Sequence, residues 1–470
     1  MSTEAPTRRG ATRKRRSRSF VASFAIVVAV LEAVGVAGAA AGVAQGPRVS
    51  SVQVDPAAAA AASGSRLIVT TSQSLQDVQA SQVTVTPAAP FSVDTSGRSV
   101  GVRFGLTLHD DTEYTVRFED VRGLGGGPPV TITQTFRTPQ TDVFLLQRTE
   151  SGDTIFRTDL TGEEAIPVFR NDHIEDFRAT SSHLVVSVRS DDAAQLIVTD
   201  LDGDAERTLP LPGEGTVTNL QSADRGELIG YTFSDADLDE TGGLESALFT
   251  ASLKESEADA APTPVAVSGA EPRVAEWRFV PDTDSVLMLT FDGSLLLTGP
   301  TGEGATALGS AITIAGIARG SSEVIVERGQ GPVVLDLSDA SEAPLVAADE
   351  PLGRLAAVTA VPGGGTVRTA TPVDESGIPI GTTVAFVAED GATDVLLEVP
   401  STDAALQACV SPSGRYAAVL LAPEVVTNPS DTYLLPLPER VESRVVEIAT
   451  GEEVVALSGF DISWCQVPPR

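Results

Sequence analysis

The segment IVTDLDGDAE, residues 197–206, carries the pattern that sets the fold: an apolar run, a polar Asp-Gly turn and the beginning of another strand. An Asp-Gly pair between two strand-like runs predicts a tight β-hairpin. The pattern recurs after Pro139 in FRTDLTGEE (156–164), IVTDLDGDAE (197–206), LLTGPTGEG (296–304), VLDLSDASE (334–342), FVAEDGATD (386–394) and VEIATGEEV (446–454), and more weakly in LFTASLKES (248–256). Successive copies begin about 38 to 60 residues apart. Seven units of about four strands each predict a β-propeller.

The strands ahead of each turn also come in pairs, as expected for the inner half of a propeller blade. The clearest pairs are Ile174–Ala179 with Leu184–Val188, Val274–Val280 with Val286–Leu289, Ile312–Ile317 with Val324–Val326, and Ala405–Val410 with Tyr416–Leu420. The first blade lacks its inner strand, because Val143–Gln147 already has the pattern of a second strand. One inner-type strand, Phe460–Cys465, remains at the end. We therefore expect the C-terminal strand to close a seven-bladed ring, while a miscounted copy would give six or eight blades.

Residues 45–139 have a different pattern, in which apolar and polar residues alternate in short runs separated by Gly, Pro, Ser and Asp. Side chains one residue apart face opposite sides of a strand, so this alternation predicts strands that bury one face against a second sheet. The runs are Val49–Val54, Leu67–Val69, Val83–Val85, Val100–Phe104, Tyr114–Phe118 and Thr131–Phe136. Six or seven strands in about 90 residues predict a β-sandwich.

Two resemblances to known families add to these expectations. The order VSSVQVDP, RLIVTTSQSL, SQVTVTPA, LTLHDDTEYTVRFEDVRGLGG and TQTFRTP over residues 49–139 resembles the bacterial Ig-like domains of the SbsA type. That resemblance implies a non-catalytic surface module, a spacer or an adhesion element. SPSGRYAAV, residues 411–419, resembles the strand-turn motif of TolB-like and WD40-like propellers. It implies a ring-shaped face presented to proteins, peptides or glycans.

The charge of the chain is unevenly distributed. There are 32 basic and 64 acidic residues, a formal charge of −32, but residues 1–18 hold seven basic residues, and residues 20–44 are apolar apart from Glu32 and a few small residues. A basic flank followed by about 20 to 25 apolar residues predicts one transmembrane helix with its basic end in the cytoplasm. A cleaved signal peptide is the alternative. Both interpretations export residues 45–470, whose charge of −37 argues against nucleic acid as the partner.

The two cysteines, Cys409 and Cys465, stand in the inner-strand segments LQACVSP and ISWCQVP. The strand count assigns these segments to the last blade and to the closed first blade, which are neighbours in the ring. Disulfides persist in oxidising compartments, so export favours their oxidation. We expect a disulfide that locks the C-terminal strand into the ring. Two free buried thiols, or a redox or metal role, are the alternatives.

The sequence offers few residues for catalysis. His109, His173 and His183 are the three histidines that could act as the base beside a Ser or Cys nucleophile. No G-x-S-x-G motif is present, and 64 acidic residues make some close carboxylate pair inevitable, so such a pair does not identify a glycosidase. We expect no catalytic residues and no enzymatic activity. An extracellular hydrolase or lyase acting on glycans is the alternative.

Calcium is the one ligand for which the sequence has a partial motif. Asp235, Asp237 and Asp239 alternate as carboxylates do in calcium loops. The segment lacks Gly at the sixth position and has Ser246 instead of Glu at the twelfth. A solvated acidic loop is therefore the alternative, and no other cofactor is predicted.

The sequence as a whole predicts an all-β protein in four segments: a basic cytoplasmic segment (1–19), a transmembrane helix or signal peptide (20–44), an Ig-like β-sandwich (45–139) and a β-propeller (140–470). We expect a single-pass cell-membrane protein with residues 45–470 outside the cytoplasm, or a secreted protein if the N-terminal segment is cleaved. Its function would be binding or scaffolding at the cell envelope, with an envelope protein or a glycan as partner. A sensor that signals through the span is disfavoured, because the cytoplasmic segment is so short.

Overall fold

A computed structural model of the chain describes residues 20–35, 45–190, 193–223, 227–238 and 242–469. Almost all of the regular structure in these ranges is β, with 34 strands. The helices are α1 (20–35), α2 (Pro56–Ala61) and three 3-10 turns at Ala80–Gln82, Glu255–Glu257 and Val425–Thr427. The predicted all-β class is confirmed.

The part of the predicted span that the structure describes, residues 20–35, forms the helix α1. Residues 1–19 and 36–44 lie outside the described residues. Within the described ranges, no helix has the length and apolar character needed to cross a membrane. The predicted transmembrane helix is therefore not supported.

The chain forms two compact units. The first takes in the residues as far as Asp55, together with Arg66–Arg103 and Glu113–Phe136. The second takes in Pro56–Ser65, Phe104–Thr112 and the chain from Arg137. The boundary at residue 139 stays a prediction, because two segments that precede it cluster with the second unit.

The first unit contains a four-stranded sheet and a three-stranded sheet. Their strands are β1 (Val49–Gln53), β2 (Arg66–Thr71), β3 (Val83–Thr86), β4 (Phe91–Ser96), β5 (Ser99–Phe104), β6 (Glu113–Val121) and β7 (Val130–Arg137), in the orders β1-β2-β5-β4 and β3-β6-β7. Leu67 and Val69 in β2, and Val83 and Val85 in β3, are buried and alternate with more exposed neighbours. Each sheet thus has one buried face, which follows from the alternating sequence.

The second unit contains seven antiparallel sheets, numbered here as blades 1 to 7. Blade 1 has β8 (Val143–Gln147), β9 (Asp153–Thr158) and β10 (Ala165–Asn171); blade 2 has β11 (Ile174–Ala179), β12 (Leu184–Ser190), β13 (Ala193–Thr199) and β14 (Arg207–Leu209); blade 3 has β15 (Gly215–Ser222), β16 (Leu228–Asp235), β17 (Ala247–Ser252) and β18 (Thr263–Pro264). Blade 4 has β19 (Val274–Phe279), β20 (Val286–Thr290), β21 (Ser294–Thr298) and β22 (Thr306–Ser310); blade 5 has β23 (Thr313–Ile317), β24 (Glu323–Arg328), β25 (Gly331–Asp336) and β26 (Glu342–Pro344). Blade 6 has β27 (Arg354–Ala360), β28 (Thr366–Thr371), β29 (Gly381–Val387) and β30 (Thr393–Pro400); blade 7 has β31 (Ala404–Val410), β32 (Tyr416–Ala422), β33 (Glu442–Glu447) and β34 (Glu453–Ser458).

The order of strands within these sheets is that of propeller blades. In blades 2 to 7 each strand pairs with the next one along the chain. The first strands of successive blades, β11, β15, β19, β23, β27 and β31, lie next to one another and are called the inner strands. Consecutive antiparallel strands in a repeated sheet, with the first strands facing a common axis, define a β-propeller. The predicted β-propeller is confirmed.

The C-terminal segment lies at the inner side of blade 1. Leu146 in β8 and Phe460 exchange two main-chain hydrogen bonds of 3.0 Å, and the Ser463 amide donates to the Phe144 carbonyl at 2.9 Å. Regular pairing stops after Phe460, because Asp461 adopts a φ of 56° and the Ser463 hydroxyl accepts a hydrogen bond from the Phe144 amide at 3.1 Å. The predicted strand Phe460–Cys465 is thus a single bridge followed by a turn.

Apolar clusters fill the spaces between neighbouring blades. Leu248 of blade 3 packs in one cluster with Trp277 of blade 4. Phe144 of blade 1, Phe177 of blade 2 and Phe460 share another. Such clusters hold neighbouring inner strands together around the central channel of the propeller.

Candidate functional site

A belt of side-chain hydrogen bonds connects the inner strands around the channel. Within the described residues, five side chains on inner strands donate to a main-chain carbonyl of the next blade or of the C-terminal segment. The pairs are Arg178 Nε to Leu220 O at 2.7 Å, Gln221 Nε2 to Trp277 O at 2.7 Å, Arg278 Nη2 to Ile314 O at 3.0 Å, Thr359 Oγ1 to Ala408 O at 2.9 Å, and Gln407 Nε2 to Val467 O at 2.9 Å. Inner strands have no further strand to pair with, so these donors satisfy carbonyl groups that would otherwise lack a partner.

Each of the six inner strands carries an irregularity in its pairing with the second strand. The shifts fall at Ile174/Asp176 in β11, Thr218/Gln221 in β15, Val274/Glu276 in β19, Ile314/Gly316 in β23, Leu355/Ala357 in β27 and Ala405/Gln407 in β31. A β-bulge re-aims the side chains that follow it. Because the shift recurs at the same place, Asp176, Glu276, Gly316, Ala357 and Gln407 occupy equivalent positions around the channel.

Three charged side chains are buried together where the C-terminal segment meets β11. Asp176, Arg178 and Asp461 are 5%, 3% and 2% exposed. Arg178 Nη1 lies 3.0 Å from Asp176 Oδ1 and 2.6 Å from Asp461 Oδ2. Asp176 Oδ2 and Asp461 Oδ1 receive no hydrogen bond from any described group. A proton shared between the two carboxyl groups would satisfy both oxygens.

The ionisation of this cluster agrees with a shared proton. Burial, the largest cause, raises the pKa of Asp176 well above its usual value; Arg178 opposes the rise, and the Asp461 carboxyl adds to it. Asp176 is therefore the carboxyl that holds the proton. Glycoside hydrolysis needs a carboxyl pair that a sugar can reach. Side chains as deeply buried as Asp176 and Asp461 do not offer one.

A cavity of about 400 Å³ opens along the inner strands of blades 5 to 7. Its walls are small residues at positions where blades 2 and 4 carry acids: Gly316 and Ala357 stand in place of Asp176 and Glu276. Acidic side chains thus lie on the inner strands of blades 2 and 4, whereas the cavity occupies the space beside blades 5 to 7. The volume lies in the range of ligand pockets.

The two cysteines form the predicted disulfide. Cys409 in β31 and Cys465 in the C-terminal segment are bonded, with their Cα atoms 5.4 Å apart. The bridge joins blade 7 to the segment that lies beside blade 1. In the chain-entropy model, closing a loop with a sequence separation of 56 contributes about 4 kcal/mol to the free energy of unfolding.

The residues of the predicted calcium loop are only partly described. Asp235 Oδ2 accepts a hydrogen bond of 2.6 Å from the Leu244 amide, Asp237 is exposed, and Asp239 lies outside the described residues. In the part of the chain that the structure describes, no group of three or more His, Cys, Asp or Glu side chains is placed to hold a metal ion. Calcium at this loop stays a prediction.

The three histidines lie in different places. Burial is the main cause that lowers the pKa of His109 and of His183. His173 Nε2 lies 2.8 Å from Glu175 Oε1, and His183 Nδ1 lies 2.9 Å from the hydroxyl of its neighbour Ser182. Among the described residues no carboxylate hydrogen-bonds the His183 ring, so this Ser–His contact lacks the orienting third group of a catalytic triad.

A long loop of blade 7, residues 423–441 between β32 and β33, reaches blades 1 and 2. Tyr433 is held between two neighbours: its ring stacks on His173 at 4.0 Å, and the Arg148 guanidinium lies 3.7 Å from its centroid. The Tyr433 hydroxyl donates to Asp153 Oδ2 at 2.7 Å, and Arg148 Nη1 pairs with Asp431 Oδ2 at 2.8 Å. The loop therefore fastens blade 7 to blades 1 and 2, as the disulfide does on the channel side.

One edge of blades 4 to 6 exposes a group of large apolar side chains, called here the apolar face. Its members are 37% to 63% exposed: Phe291, Ile312, Leu355, Val373, Ile378 and Ile380. In an antiparallel blade, the start of the first strand lies at the same edge as the connection between the second and third strands. Leu355 pairs with Ala370, so it lies at the same edge as the connection 372–381.

The connection 372–381 is ordered although it is exposed. Asp374 Oδ1 accepts hydrogen bonds from the amides of Ser376 at 2.8 Å and Ile378 at 2.9 Å, and the Ile380 amide donates to the Pro372 carbonyl at 3.1 Å. The loop is therefore a preformed platform that holds its aliphatic side chains in water. Leu355 belongs both to the apolar face and to the lining of the cavity, so the two features are continuous.

No protein-family model and no curated protein matches the chain. Similar solved structures include TolB from Acinetobacter baumannii, with a TM-score of 0.38 and 11% identity over 83% of this chain and 82% of that one. The dihydro-heme d1 dehydrogenase NirN in complex with DHE has a TM-score of 0.41 and 13% identity over 68% of this chain and 74% of that one. The β-propeller domain of Cps50 (Swd1) from Myceliophteria thermophila has a TM-score of 0.40 and 11% identity over 62% and 87%. Similarities this low transfer no function.

Proposed function

We propose that this chain is an exported binding or scaffolding protein of the cell envelope, which presents its propeller to a protein partner and catalyses no reaction. The observation that carries the proposal is the apolar face. Soluble monomers rarely expose a contiguous group of large apolar side chains, and such patches usually mark interaction sites. Here the side chains stand on an ordered loop, so their exposure is built into the fold.

Export is supported by the disulfide and by the N-terminal sequence. A bridge between Cys409 and Cys465 persists in an oxidising compartment. The basic residues 1–18 and the apolar residues 20–44 have the order of a signal peptide or anchor. Protease treatment of intact cells tests the location, since residues 45–470 should be cleaved from outside. Their protection in intact cells, with cleavage after lysis, would contradict export.

The first unit is proposed to be an Ig-like spacer of the SbsA type. The segments that carry the resemblance fall on regular strands: TEYTVRFEDV on β6 and TQTFRTP on β7. It has one sheet of four strands and one of three, and seven strands are typical of an Ig-like sandwich. A spacer would hold the propeller away from the membrane, where a partner can reach it.

The binding function is tested by crosslinking on intact cells followed by purification of the chain. The variant Ile378→Ser with Ile380→Ser removes two side chains of the apolar face and should lose the crosslinked partner. Val395→Ser is the matched control, because Val395 is a similarly exposed aliphatic residue on β30, the outer strand of the same blade. If both variants keep the partner, or both lose it, the apolar face is not the binding site.

A further inference from the structure

We infer that the apolar face and the cavity behind Leu355 dock a partner segment that combines large apolar side chains with lysine or arginine. This inference rests on the proposed function and names the chemistry of the partner. Three features support it: the cavity, an unpartnered carboxylate at its mouth, and the balance of charge around the apolar face.

The cavity gives the partner segment a place to insert an apolar side chain. At the edge that carries the apolar face, its lining includes Thr313, Glu327 and Leu355. Deeper in, the walls are Gly316 and Ala357, which stand where blades 2 and 4 carry Asp176 and Glu276. The lining also holds polar groups, Arg278, Arg319 and Gln407 among them. An apolar side chain entering past Leu355 would exchange water for the small residues Ala356, Ala357 and Gly316, and such burial is the usual driving force for association.

Glu327 supplies the charge preference at the mouth. It lies near the end of β24, paired with Thr313 in β23, and its side chain is partly buried. Among the described residues, its carboxylate has no hydrogen-bond or ion-pair partner, whereas the neighbouring Arg328 pairs with Glu342. A carboxylate held partly out of water without a partner favours an incoming lysine or arginine.

The loops around the apolar face have a net negative charge, as Glu327 does. Residues 291–293, 327–330 and 372–381 with Arg273 and Arg354 carry four carboxylates and three guanidinium groups. Two of the latter already have carboxylate partners: Arg273, which lies over the Phe291 ring and pairs with Glu271, and Arg328, which pairs with Glu342. The connection 372–381 has Asp374 and Glu375, both exposed, and no basic residue. A segment with acidic side chains would be repelled here, so the surface selects a cationic one.

Fluorescence anisotropy with synthetic eight-residue peptides tests the inference on the full chain. A peptide alternating leucine and lysine should bind, and its affinity should fall as salt is raised. The matched peptides, leucine with glutamate and serine with lysine, should bind at least tenfold more weakly, since each lacks one of the two required properties. Equal binding by either matched peptide would overturn the inference.

Variants locate the binding. Glu327→Gln should weaken the leucine–lysine peptide about threefold to tenfold and flatten its salt dependence. Glu323→Gln is the matched control, because Glu323 is exposed at the other end of the same strand, about 13 Å away, and should leave affinity unchanged. Gly316→Leu should fill the cavity and weaken binding about tenfold or more; Leu355→Ser, at an exposed position, gives the same test if Gly316→Leu does not fold.

The outcomes separate this inference from the proposed function. If crosslinked partner is lost from the Ile378→Ser, Ile380→Ser variant but the leucine–lysine peptide does not bind, the binding function stands and the cationic partner is wrong. If Glu327→Gln and Glu323→Gln weaken the peptide equally, the effect is general acidity and the site at the cavity mouth is wrong.

Discussion

Replacing Asp461 with asparagine should change how the stability of the propeller depends on pH. In the folded protein, Asp176 and Asp461 flank Arg178, and burial is the main cause of the raised pKa of Asp176. An aspartate in the unfolded chain has a pKa of about 3.9. Between these two pKa values the folded protein binds one proton more than the unfolded chain, so the free energy of unfolding falls as the pH rises.

The size of the effect follows from the single proton. One proton corresponds to a slope of about 1.4 kcal/mol per pH unit at 25 °C. The contribution is fully present below about pH 4 and is lost as the pH rises through the folded pKa of Asp176. In Asp461→Asn the carboxyl that adds to the rise is gone and the amide can donate to Asp176, so the folded pKa of Asp176 falls, although burial still raises it. Between the folded pKa of Asp176 in the variant and that in the wild type, the wild type should lose about 1.4 kcal/mol for each pH unit relative to the variant.

Unfolding in guanidinium chloride at pH 5, 6, 7 and 8 measures the difference. The chain has two tryptophans, Trp277 and Trp464, and both are buried, so their fluorescence reports unfolding. Asp172→Asn is the matched control at an exposed carboxyl four residues before Asp176, and its profile should run parallel to that of the wild type. Parallel profiles for wild type and Asp461→Asn, with or without a constant offset, would refute the shared proton.

Three further predictions concern the closure of the ring and the cavity beside blades 5 to 7. The double variant Cys409→Ala, Cys465→Ala should have a free energy of unfolding about 4 kcal/mol lower than that of the wild type. Dithiothreitol should destabilise the wild type by the same amount and leave the variant unchanged. Equal stability of variant and wild type would show that the bridge does not hold the ring closed. Tyr433→Phe should lower the free energy of unfolding by about 1 kcal/mol, because Asp153 keeps the Ile174 amide as a donor. Tyr433→Leu should lower it further, because the contacts of the ring with His173 and Arg148 are lost as well. Equal losses of stability in urea unfolding would mean that the ring contacts contribute nothing. Gly316→Ala should stabilise the protein by about 0.5 to 1 kcal/mol, because alanine restricts the unfolded chain more than glycine does. The folded protein accommodates the added Cβ, whose nearest neighbour, the Ala360 amide nitrogen, is 3.9 Å away. A lower melting temperature would contradict an open channel at this position.

The propeller could be predicted from the sequence because its signals are local. The turn at 197–206 forms a hairpin wherever it stands, and seven copies at a similar spacing leave few alternative folds. The disulfide followed from the strand count, since it placed Cys409 and Cys465 in neighbouring segments. The N-terminal span stays without support, because only residues 20–35 of the predicted 20–44 are described.

The buried carboxyl pair could not be predicted, because Asp176 and Asp461 meet only when the ring closes. Part of the signal was present: IEDFRA (174–179) and VAEWRF (274–279) place an acid and an arginine around an aromatic residue in strands that are otherwise apolar. The apolar face was missed for a different reason. Ile378 and Ile380 look like ordinary strand residues until the structure shows that they belong to an exposed connection.

Hydrogen exchange of the full chain, free and bound to its crosslinked envelope partner, checks whether the apolar face is the binding surface. Binding should slow exchange in the connection 372–381 and at the start of β27, residues 354–357, and leave the turn 411–415 at the opposite edge of blade 7 unchanged. Slower exchange at 411–415 with no change at 372–381 would contradict the assignment of the apolar face as the binding surface.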